Sequence, residues 1–157
     1  MTIRFAAPWS TPLSLASALV FGILALMVGI GATAGAFVVI AVLAAAAYYT
    51  VRGYAVEPGA LVIDRLGWQT RLDLDGLESA EVDPDAMRGS IRTWGFGGPF
   101  AFVGRFRSRE LGPYTAYATD RDLAVVLRWP DRTVVVTPDD PEAFAAAAEA
   151  ASEASEL

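Results

Sequence analysis

The sequence predicts an N-terminal two-helix transmembrane hairpin followed by a mainly β barrel or sandwich of about seven strands, capped by a C-terminal α-helix. Three observations carry this. Pro12 to Val51 holds no charged residue, while all 18 acids and eleven of the 12 arginines lie beyond it. From Tyr54 onward hydrophobicity alternates with period two between turn residues. After Thr137 that alternation gives way to an Ala- and Glu-rich run.

The first element follows from the uncharged segment. At 54 % hydrophobic residues and a mean hydropathy of +0.40 the chain is too apolar for an evenly composed soluble domain of 157 residues. One helix from Pro12 to Thr50 would run about 58 Å at ~1.5 Å per residue, nearly twice the ~30 Å of a bilayer core. The segment therefore has to fold back, and Gly29, Gly31 and Gly35 mark the break between spans 13–30 and 34–51. Arg4 and Arg52 flank the outer ends and no basic residue lies in the turn, which places both termini on the cytoplasmic side of the cell membrane. Trp9, Tyr48 and Tyr49 fall at the same face, where interfacial aromatics belong. The chain thus divides into a helical hairpin, 1–53, and a β domain, 54–157.

In that domain Trp68 to Leu74 is the clearest strand. Trp68, Thr70, Leu72 and Leu74 face one way and Gln69, Arg71 and Asp73 the other. Leu61 and Ile63 form its partner, entered through Glu57-Pro58-Gly59. Leu77 to Val82, Phe100 to Arg109, Pro113 to Thr119, Leu123 to Trp129 and Arg132 to Thr137 complete seven. Asp140 before Pro141 is a cap followed by proline at the first helical position, so a helix runs over about 141–155. Phe144 is its one large apolar residue before the last position and should plug the sheets; Trp68, Phe106 and Phe144 are expected to share one core.

Tyr54-x-Val56, Gly59-x-Leu61-x-Ile63, Ser90-Ile91-Arg92-x-x-Gly95-x-Gly97-Gly98-x-Phe100, Gly104-x-Phe106, Leu111-Gly112-x-Tyr114-x-x-Tyr117-Ala118-Thr119 and Val135-Val136-Thr137-Pro138-Asp139-Asp140-Pro141-x-x-Phe144 stand in order along the domain. In these motifs the chain resembles the bacterial PH domain family. The resemblance implies a pleckstrin-homology-like barrel in a membrane-associated setting and carries over no catalytic or ligand residue.

Composition narrows the chemistry. There is no Cys, His or Lys, so thiol chemistry, the commonest general base and the commonest metal ligands are missing. Asp, Glu, Tyr, Ser and Arg form no recognisable catalytic constellation, so the reading is a non-enzymatic module with no metal and no cofactor. A formal net charge of −6 argues against nucleic acid as a partner. Asp73-x-Asp75-Gly76 and Asp83-Pro84-Asp85 read as turns, because neither fits a calcium-loop register.

Residues 88–109 nevertheless carry Arg88, Arg92, Arg105, Arg107 and Arg109 with no acid. Arg105, Arg107 and Arg109 share a strand face opposite Phe100, Phe102 and Phe106. The stripe suits an acidic protein partner or anionic lipid headgroups; its alternative is a solvated face paired with neighbouring acids. The Gly-rich stretch with Gly95, Gly97 and Gly98 lacks the Gly-Lys-Ser/Thr of a phosphate loop and reads as a turn packed around Trp94 and Phe96. The expected function is a membrane-anchored interaction or scaffold module that binds a protein or peptide, probing it through a sheet edge, the Gly-rich stretch or the Arg stripe.

Overall fold

The chain opens with strand β1 (Ile3–Ala6), continues through helices α1 (Thr11–Gly29) and α2 (Thr33–Tyr48), and enters β2 (Val51–Glu57), β3 (Ala60–Arg65) and β4 (Gln69–Asp73). Then follow β5 (Ser79–Val82), β6 (Ile91–Gly98), β7 (Ala101–Ser108), β8 (Gly112–Ala118), β9 (Val125–Arg128), β10 (Thr133–Val136) and helix α3 (Pro141–Glu153). The structure is a computed structural model and describes residues 2–8, 11–29, 31, 33–48, 50–98 and 101–154.

Two sheets form a sandwich. One has four antiparallel strands in the order β1-β2-β3-β4; the other has six in the order β5-β9-β10-β8-β7-β6, with β10 and β8 parallel. Between them lies one core of Val51, Tyr54, Leu61, Ile63, Leu74, Val125, Leu127 and Val136, all fully buried, closed at one end by Phe144 and Ala148 of α3. Phe5 and Tyr54 meet the Phe144 ring edge-on at 5.2 and 5.9 Å. The outer face of the six-stranded sheet carries a second core of Met87, Phe106, Leu111, Tyr114, Val126 and Val135. A sheet covered on both faces explains the unbroken valine runs of β9 and β10.

Helix α3 starts where the sequence predicts. The Asp140 carboxylate accepts a hydrogen bond from the Ala143 N–H at 3.1 Å, and Pro141 follows at the first helical position. Asp139, which also reads as part of that cap, does something else: its Oδ1 accepts from the Ala6 N–H and its own N–H donates to the Ala6 carbonyl, both at 3.0 Å. It clamps the end of β1 to the domain. The turn readings of the other acids match local bonds, Asp73 accepting from the Asp75 N–H and Asp83 from the Asp85 N–H.

Four expectations need correction. Among the described residues no helix is long and apolar enough to cross a membrane. α1 and α2 end at Gly29 and Tyr48, so they rise about 28 and 24 Å, each less than the ~30 Å of a bilayer core. The transmembrane hairpin is therefore replaced by two shorter helices inserted between neighbouring strands, and Val51, read as the end of a span, begins β2. Second, the sheets contain ten strands among the described residues, β1, β2 and β6 being the additions. Third, Ser90 to Gly98 is not a turn but mostly strand β6, and Trp94 is 78 % exposed rather than packed; Pro99 and Phe100 lie outside the described residues. Fourth, Phe144 and Phe106 belong to opposite faces of the six-stranded sheet, and Trp68 is only half-buried at the sandwich rim.

Candidate functional site

The six-stranded sheet is wider than the four-stranded one, and its inner face runs on past the cover. Val103 still lies in the core, but Arg105 and Arg107, two and four residues along the same face of β7, are exposed. Directly paired residues share a face, so Trp94 opposite Arg105 and Ile91 opposite Arg107 join them. Both are apolar and open to solvent, Trp94 at 78 % and Ile91 at 73 %. β6 is also the last strand of its sheet, so among the described residues one row of its backbone groups has no strand to pair with.

Where this arm meets the rim of the smaller sheet there is a cleft of about 820 Å³, lined by Arg65, Trp68, Trp94, Arg105, Thr115 and Tyr117 among others. Arg65 is buried, its Cζ 4.3 Å from the Trp68 ring centroid and 5.1 Å from that of Tyr117. Two aromatic rings thus hold one guanidinium in the cleft wall. Trp68 is itself fixed from behind, stacked on Tyr48 with centroids 6.1 Å apart while its Nε1–H donates to the Tyr48 carbonyl at 3.2 Å.

Two local devices shape the arm. Gly95 (φ 111°) and Gly104 (φ 146°) face each other across β6 and β7, and a Cβ on Gly95 would stand 2.5 Å from the Gly104 Cα. Only a glycine pair lets the strands approach so closely. A bulge then places Thr93 as an extra residue between Arg92 and Trp94, its hydroxyl donating to the Arg105 carbonyl at 3.1 Å. The Gly-rich stretch is therefore a strand-crossing device, with Gly97 and Gly98 continuing the ladder opposite Phe102 and Ala101.

The five arginines do not form one surface. Arg88, Arg107 and Arg109 line one cavity of about 630 Å³ together with Ile91, Thr93 and Glu110. Arg105 faces the neighbouring cleft, and Arg92, paired with Phe106, lies on the opposite face of the sheet. Among the described residues only Arg88 of the five makes an ion pair, an exposed one with Asp85 at 3.2 Å. Sequence reasoning missed Arg65, Trp68 and Tyr117 as cleft residues, because only the fold brings them to the arm. The exposed pair Ile91 and Trp94 within an Arg-rich segment was the signal that could have found it.

Below the cleft, Tyr54 ties the sheets together. Its hydroxyl donates to the Tyr117 carbonyl and accepts from the Thr137 N–H at 3.1 Å, and burial pushes its pKa up to about 12. On the other face burial likewise raises the pKa of Tyr114, whose hydroxyl donates to the Ser90 Oγ at 2.7 Å. Both phenols serve as structural hydrogen-bonding groups.

No curated protein and no solved structure matches the chain. A family model, described as bacterial PH domain, matches residues 52–152, the stretch from the start of β2 to the last turn of α3. A sandwich of two sheets with a C-terminal helix is consistent with that fold, and the chain belongs to the bacterial PH domain family.

Proposed function

We propose that the protein is a non-catalytic docking module that takes an extended, acidic segment of a protein partner along the free edge of β6. PH domains are generally interaction modules rather than enzymes. The observation that carries the reading is the exposure of Trp94 and Ile91 beside Arg105 and Arg107 on an unpaired edge strand. The edge of β6, its Gly-rich stretch, and Arg105 and Arg107 of the expected stripe support this reading by lying on adjacent strands. Backbone bonds to β6 supply register and affinity. Trp94 offers an apolar anchor, and the arginines select acidic side chains, which alternate along the added strand as they do along β7.

Anionic lipid recognition by Arg88, Arg92, Arg105, Arg107 and Arg109 together is supported less. Arg92 faces away and Glu110 stands among Arg88, Arg107 and Arg109. The test is a displayed library of random peptides panned on the full chain. Recovered peptides should alternate acidic and apolar residues, and Trp94→Ala with Arg107→Gln should weaken them by about tenfold or more. Peptides without excess acid, or binding indifferent to both substitutions, would refute the reading.

A further inference from the structure

Arg4 and Arg52, which the sequence offers only as flanking charges, come together with a third cation in the structure. β1 lies against β2 and β2 against β3, so Arg4, Arg52 and Arg65 line a single cavity of about 670 Å³ at the foot of the helical pair. Among the described residues its one acid is Asp64, whose carboxylate already accepts a 2.6 Å hydrogen bond from Gln69 Nε2. Three guanidiniums against one engaged carboxylate is a cationic site within a chain of net charge −6.

Two further features point to a built site. The pairing of β2 with β3 passes from Val51 opposite Arg65 to Gly53 opposite Asp64, so Arg52 is the extra residue of a β-bulge. Such bulges re-aim a side chain out of the regular ladder. Gly53, also in the lining, stands where a Cβ would meet the Phe5 carbonyl oxygen at 2.9 Å, so β1 can close up against β2 and carry Arg4 toward Arg52.

The surroundings are apolar on one side. Trp68 lines the cavity and stacks on Tyr48 at the end of α2. From there Tyr48, Ala44, Ala41 and Phe37, spaced as one helical face, are all exposed. They form a track of about 16 Å leading away from the arginines, with two alanines between two rings.

We infer that this foot binds a phosphate-bearing amphiphile, its phosphate held by Arg4, Arg52 and Arg65 and its hydrocarbon tail laid along Tyr48, Ala44, Ala41 and Phe37. Forked guanidinium donors match phosphate oxygens in geometry as well as charge. The apolar track distinguishes such a ligand from free phosphate. The inference is independent of peptide docking on β6, although the two cavities share Arg65 and Trp68.

The test uses the full chain in a neutral maltoside detergent, titrated by calorimetry with dihexanoyl phosphatidic acid, dihexanoyl phosphatidylcholine and inorganic phosphate. The phosphatidic acid should bind about tenfold or more tightly than either of the others. Arg4→Gln with Arg52→Gln should erase that preference, and Arg4→Lys with Arg52→Lys should restore most of it. Equal binding of the zwitterionic lipid would overturn the phosphate assignment, and equal binding of inorganic phosphate would overturn the amphiphile. An unchanged preference in the Gln variant, folded by circular dichroism, would overturn the site, whereas its loss in Arg105→Gln with Arg107→Gln alone would move it to the arm.

Discussion

The inner face of the six-stranded sheet changes character across its width. Under the smaller sheet and α3 it shows Val125, Leu127, Val134 and Val136, none more than 3 % exposed; at the other margin it shows Ile91, Trp94, Arg105 and Arg107, all open to solvent. The backbone is the same ladder throughout, so the difference is one of cover. Where a second layer exists, each side chain contributes burial; where it ends, the same alternation presents arginines and two large apolar groups to whatever arrives. A face with exposed tryptophan beside arginine has the composition of an interface centre rather than of ordinary surface.

Substitutions should separate the halves. Phe144→Ala, at the closed end, empties a fully buried aromatic site and should cost about 3–5 kcal/mol in urea unfolding. A loss under about 1 kcal/mol would mean that α3 is not what closes the core. Tyr54→Phe comes next, removing a donor to the Tyr117 carbonyl and the acceptor of the buried Thr137 N–H, for about 1–3 kcal/mol. It also has a pH signature. The folded pKa of Tyr54 is raised to about 12 from 10.0, so its contribution is full below pH 10 and is lost as pH rises toward 12. The parent should lose more stability than Tyr54→Phe across that window, on the order of 2–3 kcal/mol. Equal losses would show that the phenol is not protected.

Gly104→Ala tests the join between the halves. Its Cβ would run into the Trp94 carbonyl at a φ of 146°, so a cost of about 1–3 kcal/mol with distortion confined to β6 and β7 is expected. Trp94→Ala should have the smallest effect, within about 0.5 kcal/mol, because the ring is 78 % exposed. A larger cost would mean that the arm packs on something within the chain and is not a docking surface.

Much of this arrangement was legible. Alternation located β4, β7 and β8, and the Asp140-Pro141 cap placed α3, because each signal is local. β2 was hidden because Val51, Gly53, Tyr54, Ala55 and Val56 are all buried, which erases alternation and merges the strand with the apolar run before it. β6 was hidden by Gly95, Gly97 and Gly98, whose usual meaning is a turn. The candidate sites were harder still. Arg105 and Arg107 could be phased from their spacing, but Arg65 reaches the arm only through the sandwich, and Arg4, Arg52 and Arg65 meet only through strand pairing. Nothing in local spacing encodes either meeting.

One consequence of the β1–β2 pairing concerns how the protein could be cut. Ala6 and Gly53 face each other in the ladder, and the Ala7 N–H donates to the Arg52 carbonyl at 3.3 Å. In the sheet's own geometry these ends belong to a β-ribbon whose turn has been exchanged for two helices. A reverse turn of a few residues would rejoin them without shifting register, and closing the shorter loop would cost about 2 kcal/mol less in chain entropy. The helical pair is thus a removable cassette: excised, it would leave ten strands, α3 and the β6 arm, without the exposed apolar side chains of α1 and α2. A urea midpoint below that of the parent would show that the helices, rather than the ribbon, hold β1 in place.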